Sequence, residues 1–377
     1  MRFAVLLSIA AALMLAPAAA QAATVSVEGD VLRVIAAPGE GNSLSLEAGD
    51  GIFSVDDDSS SLSAGAGCEA EEDWGDDVIC PSAGVARVEV DAGDGDDRVR
   101  TNIPLATRLA GGSGNDQLEF TPFAVPFAAV PPAVLEGGDG DDRLTGSAGD
   151  DRLNGDSGRD ALDGSAGNDS LEVRDRKADS AWCGDGRDRV RAEVLDSLDF
   201  ACEVVDYGSP GKIGRLRPVT GGGRFVRIPG QSWAKIDRRI LPDLLYLIRR
   251  YKVRVGDGYA PRGHNPKGEH PIGLAVDLTP GPGGSWRQVG KLAKWAEPRQ
   301  NRPRWPFRWV GYNGDASHGD PKHCKASRGC PAHLHLSWSH SGGRPRRPVR
   351  TVWTWQVKGA ASRATLLPAH AAGHPDW

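Results

Sequence analysis

Beyond its first fifteen residues the chain has no apolar run long enough to span a bilayer, so no membrane-crossing helix is expected after that point. Histidine is missing from residues 1–206, which also hold only two of the eleven tryptophans. That half therefore has no imidazole with which to ligate a metal or relay a proton. Residues 207–377 are poor in acid, with 9 Asp/Glu against 30 Lys/Arg. The six cysteines include no C-x2-C pair, the usual spacing of a zinc-thiolate site.

What is present divides along the same line. Residues 1–206 carry 41 Asp/Glu and 15 Lys/Arg, a net charge of −26, and the remainder carries +21, although the whole chain nets −5. Two such compositions indicate two modules. The acidic module should attract cations and the basic one an anionic polymer. At the start, Met1–Arg2, the apolar run Phe3–Leu15 and Ala20-Gln21-Ala22 read as a secretory signal over residues 1–22. Export allows disulfides, and local pairing gives Cys68/Cys80, Cys183/Cys202 and Cys324/Cys330; metal ligation is the rival for the last pair, which lies near histidines.

The acidic half repeats with a period of nine. Units begin at Gly137, Gly146, Gly155 and Gly164, each with Gly fourth, Asp sixth and Leu eighth, and an isolated unit begins at Gly111. Weaker copies surround Gly95 and Gly186. The fourth-place glycines are spaced by 19, 26, 9, 9, 9 and 19 residues, each within one of a multiple of nine. The segments between copies therefore read as degenerate turns of one coil, with the ligand pattern lost at Thr121–Pro126.

These residues resemble the hemolysin-type (RTX) calcium-binding repeat, GGxGxDxUx with U apolar, over about residues 92–206. The resemblance implies an all-β parallel β-roll in which each ion is shared by stacked turns. Its Ca²⁺ ligands would be Asp116, Asp142, Asp151, Asp160 and Asp169 with turn carbonyls, the hard oxygens calcium prefers. Residues 23–91 are expected to form a β-rich cap without chemistry, with a hairpin around Glu28-Gly29-Asp30.

After a Gly/Pro-rich linker at 207–223, an amphipathic helix is expected from about Ser232 to Tyr251, kinked or broken at Pro242, followed by a strand over Val253–Tyr259. Downstream lie His270, Gly273, Ala275 and Asp277, and then His333 and His335. Strand alternation puts His333 and His335 on one side. A His, an Asp and a His from separate segments suit a three-ligand zinc site with one open position. His264, His318 and His323 fall in Gly/Asp-rich loops and read as exposed, with lining of the cleft as the alternative for His264 or His323.

The pattern H-x2-G-x-A-x-D with a late H-x-H resembles zinc peptidases that trim peptidoglycan. These are the D-alanyl-D-alanine carboxypeptidases and murein endopeptidases, whose fold is shared with the hedgehog signalling domain. The resemblance implies an α+β domain over 224–340, with His270, Asp277 and His335 holding Zn²⁺ and His333 acting in catalysis. Zinc would bring its bound water to a pKa of about 7, with His333 as general base or oxyanion stabiliser. Ala332 stands where the carboxypeptidases carry Glu, which favours the endopeptidase-like branch. That branch's Tyr-Arg pair is absent, since Ala260 follows Tyr259, with Arg262 nearby. Residues 341–377 read as a basic tail.

The expected molecule is a secreted or surface-exposed bacterial protein, with calcium ions and peptidoglycan or another anionic wall polymer as partners and no nucleic acid. The competing reading is non-enzymatic, a calcium-stabilised adhesin or wall-binding protein.

Overall fold

The structure is a computed structural model describing residues 22–71, 77–122, 130–221, 224–260, 268–301, 305–312, 318, 332–341 and 349–358. The signal segment, His264, His323, Arg262 and the Cys324/Cys330 pair lie outside these residues, apart from Ala22.

The acidic half winds as a coil with one short strand in each of two sheets per turn. One sheet stacks Arg87–Asp91, Ala106–Ser113, Ala133–Asp139, Arg152–Ser157, Ser170–Glu172, Arg189–Arg191 and Val204–Asp206 in parallel. The other stacks Arg98–Thr101, Gln117–Phe120, Arg143–Thr145, Ala161–Asp163, Ser180–Trp182 and Ser197–Leu198. The eighth-place residues Leu118, Leu144, Leu153, Leu162 and Leu171 point inward and are buried in one continuous core. At about 25 cal/mol per Å² this burial is the main apolar contribution of the roll. Cys68–Cys80 and Cys183–Cys202 are both disulfide-bonded.

Two sequence expectations change here. The hairpin of Ala23–Glu28 with Val31–Ile35 is present, but residues 23–91 are more than a cap. Strand Val31–Ile35 pairs in parallel with Arg87–Asp91, and Ser43–Ala48 with Arg98–Thr101, so the coil already begins there. The 26-residue spacing between Gly114 and Gly140 is not a run of degenerate units. The strands on either side of it pair directly, so it makes a single turn of the coil and adds no further turns.

The basic half is α+β. A four-stranded antiparallel sheet has the order Val253–Asp257, Ala275–Pro280, Leu334–Trp338, Phe307–Gly311. Helices α1 (Leu241–Tyr251) and α2 (Trp286–Ala296) join it in a second core. The helix expected from Ser232 starts nine residues later. Gln231–Asp237 is instead a strand paired with Phe225–Ile228 around Gly230. The Asp237 carboxylate then accepts the Arg239 N–H, which opens a 3-10 turn leading into α1. Pro242 lies in the first turn of α1, where its missing N–H costs nothing, so it starts the helix rather than kinking it.

The linker and tail also need correction. Lys212–Thr220 is a strand, antiparallel to Thr351–Lys358. Val352 and Trp355 of the latter are buried in the second core, and the Trp355 N–H donates to buried Asp243 at 3.0 Å. The last coil turn abuts this domain: Gly283 N–H donates to Cys202 O at 2.8 Å, and the Arg254 guanidinium lies 4.3 Å from the Phe200 ring centre.

Candidate metal sites

Along one edge of the roll the sixth-place aspartates form a ladder. Asp97 N–H donates to Asp116 Oδ1 at 2.9 Å, Asp116 to Asp142 at 2.8 Å, Asp142 to Asp160 at 3.0 Å, Asp160 to Asp179 at 2.9 Å and Asp179 to Asp196 at 3.3 Å. The opposite edge carries a shorter ladder, Asp151 to Asp169 and Asp169 to Asp188, both at 2.8 Å. It stops at Ala133, which occupies the aspartate position and donates its N–H to Asp151 Oδ1.

All nine of these carboxylates are buried, yet Asp97, Asp116, Asp142, Asp160, Asp169, Asp179 and Asp188 leave Oδ2 without a hydrogen-bond partner. An orphaned buried carboxylate oxygen is costly, and a repeated row of them calls for a cation. Asp151 differs, because its Oδ2 accepts the Ser147 N–H at 2.6 Å and hydroxyl at 3.0 Å. Burial, partly opposed by the ladder hydrogen bonds and reinforced by neighbouring carboxylates, pushes Asp142 up to about 6, Asp97, Asp160 and Asp179 to about 7, and Asp169 to about 8. Asp196 rises to about 8, and Asp116, Asp151 and Asp188 also rise.

The five aspartates expected from sequence all fall in these ladders. Asp97 and Asp188 sit in copies seen as weak, at the same two-residue offset from Gly95 and Gly186. Asp179 and Asp196 were missed, because Lys177 and Val194 replace the fourth-place glycine; the remaining signal is Asp two residues before an inward apolar residue. The glycines stack closely beside the ladder. At Gly140, with φ +140°, an added methyl would overlap the Gly114 carbonyl oxygen. Gly140→Ala should therefore cost on the order of 1–3 kcal/mol. This would be read as a lower urea midpoint in saturating calcium, and an unchanged midpoint would contradict the close stacking.

The second site lies in the basic half. Asp277 and His335 are cross-strand partners on adjacent strands, and His270 opens the 3-10 turn before Gly273. His335 Nδ1 is 2.8 Å from Asp277 Oδ1, and His270 Nε2 is 3.3 Å from both atoms. Zinc bonds of about 2.0–2.1 Å set tetrahedral donor separations of roughly 3.3 Å, which the two His270 sides of the triangle match and the 2.8 Å His335–Asp277 side approaches. His270 Nδ1 lies 2.6 Å from Gly258 O. Donating there commits its proton and leaves the Nε2 lone pair facing the other two donors. The three residues are buried or nearly so and form the one group among the described residues whose donor atoms lie within 4.8 Å of one another.

Electrostatics binds the triad even without an ion. Burial opposes the Asp277 charge, but the two imidazoles outweigh it and hold this carboxyl far below the carboxylate range. Burial likewise opposes charge on His270, and the Asp277 partner nevertheless raises it; His335 is lowered by burial and by its imidazole neighbours. His333 stands beside the triad, with Nε2 3.6 Å from Asp277 Oδ1, so it shares the side of His335. His318, read from sequence as exposed, is half-buried, its ring 4.6 Å from His333 and 4.9 Å from Trp309. Trp309, 36 % exposed, packs 4.6 Å from His335 and forms an apolar wall that spacing alone did not reveal.

Among the described residues no helix is long and apolar enough to cross a membrane. No curated protein and no solved structure matches the chain. The ladder is a different matter: residues 136–171 match the family of RTX calcium-binding nonapeptide repeats, in four copies.

Proposed function

We propose that this is an exported calcium-binding protein whose C-terminal domain is a zinc-dependent hydrolase acting on peptidoglycan peptides. In the roll, Ca²⁺ would neutralise the aspartate ladders, with Asp116, Asp142, Asp151, Asp160 and Asp169 as ligands together with Asp97, Asp179 and Asp188. In the basic domain, His270, Asp277 and His335 would hold Zn²⁺, which when bound polarises a carbonyl and supplies an activated water. His333, beside the triad but outside it, would take a proton or hold the oxyanion. The observation that carries the hydrolase reading is the donor triangle with His333 on one side. The net positive charge of residues 207–377 suits an anionic wall polymer.

The test is metal analysis of the purified full chain together with release of peptide fragments from peptidoglycan. About one zinc per chain and chelator-sensitive release support the reading. Zinc without release favours the wall-binding alternative, in which the domain binds and does not cut. No zinc on the folded protein removes the hydrolase.

A further inference from the structure

The loop between strands Val31–Ile35 and Ser43–Ala48 has no match to the nonapeptide repeat, yet it is stacked onto the roll as one of its turns. A methyl at Gly95 would overlap the Glu40 carbonyl, just as one at Gly114 would overlap the Gly95 carbonyl. Glu40 thus stands where later units have their fourth-place glycine. Asn42 stands where they have aspartate: its N–H donates to Asp97 Oδ1 at 2.6 Å, the first rung of the longer ladder. Leu44, two residues on, pairs with Val99 and is buried as an eighth-place residue.

Three oxygens at this junction are buried and have no hydrogen-bond partner: Glu40 Oε2, Asn42 Oδ1 and Asp97 Oδ2. The Asn42 and Asp97 side chains belong to residues only 2 % exposed. Their orientation is set by their other contacts. Asn42 Nδ2 donates to Asp57 Oδ2 at 2.8 Å, and Asp57 Oδ1 is already engaged by the Ser43 and Ser59 N–H groups. The amide is therefore not free to turn over, and its oxygen faces away from Asp57. Asp97 spends Oδ1 on the Asn42 N–H, so its Oδ2 is left over. A structural turn would have paired these oxygens.

We infer that the Pro38–Ser43 loop and the turn around Asp97 form a calcium site of their own, with Glu40, Asn42 and Asp97 as side-chain ligands. The inference rests on the calcium reading of the roll and extends it to a segment outside the repeats. Two carboxylates balance one divalent cation, and the amide and turn carbonyls add neutral oxygens of the kind Ca²⁺ accepts in irregular geometry. Such an ion would close the start of the ladder, where no further aspartate turn precedes it.

Native mass spectrometry of the full chain in saturating calcium tests this by counting ions. Glu40→Ala, at a partly exposed side chain, should bind one ion fewer than the parent. Glu40→Gln, which keeps a ligand oxygen and loses the charge, should bind that ion about tenfold more weakly than the parent. An unchanged count in Glu40→Ala, or an unchanged affinity in Glu40→Gln, overturns the site. A parent chain that binds no calcium would instead overturn the calcium reading of the roll itself.

Discussion

In the presence of chelator, the folded roll should be lost as the pH rises from about 5 to about 8. The buried ladder carboxylates rise to about 6 for Asp142, about 7 for Asp97, Asp160 and Asp179, and about 8 for Asp169 and Asp196, mainly through burial. Unfolded aspartates titrate near 3.9. The calcium-free fold therefore binds more protons than the unfolded chain, and its stability falls as pH increases. That stability is complete below about pH 4 and is lost as the pH passes through 6 to 8. Protons substitute for calcium at low pH, and nothing does at high pH. Circular dichroism across this range in chelator should show strand signal at pH 5 and little at pH 8. A roll equally folded at both values would show that the ladder carboxylates do not govern its stability.

The second large effect concerns the basic domain, where the proposed zinc ligands and the proposed catalytic residue should respond differently. His270→Ala, Asp277→Ala and His335→Ala should each lose zinc, because two remaining donors are too few. His333→Ala should keep the metal and lose roughly 100-fold or more in peptide release, the usual scale for a general base or oxyanion-stabilising group. Residues 207–377 hold nine of the eleven tryptophans, so intrinsic fluorescence reports whether each variant is folded. Loss of zinc in His333→Ala with retention in His335→Ala would reverse the two roles.

Legibility in the sequence followed local pattern. The repeat was readable because each unit states its own ligand, turn and core residue within nine positions. It became unreadable where one of the three was exchanged, as at Lys177 before Asp179, or at Glu40 and Asn42, where only the inward Leu44 survives. The spacing of 26 misled because a nine-residue period cannot distinguish added turns from one turn with a longer connection. Ile236 and Ile240 satisfied a helical pattern although Ile236 belongs to a strand, since both positions are buried by tertiary packing. The pairing of Lys212–Thr220 with Thr351–Lys358 spans most of the basic half, and nothing local announces it. His270, Asp277 and His335 were legible because their spacing carries the pattern, whereas Trp309 and His318 reach the site only through the fold.

The most direct test of the calcium ladder is far-ultraviolet circular dichroism of the full chain at pH 7.5, in chelator and then in millimolar calcium. Ligand binding to the folded state stabilises it by mass action, so calcium should produce a large gain of β signal. Asp142→Ala combined with Asp160→Ala, which removes two adjacent rungs of one ladder, should shift that response to higher calcium. Identical spectra with chelator and with calcium would contradict the ladder as a calcium site.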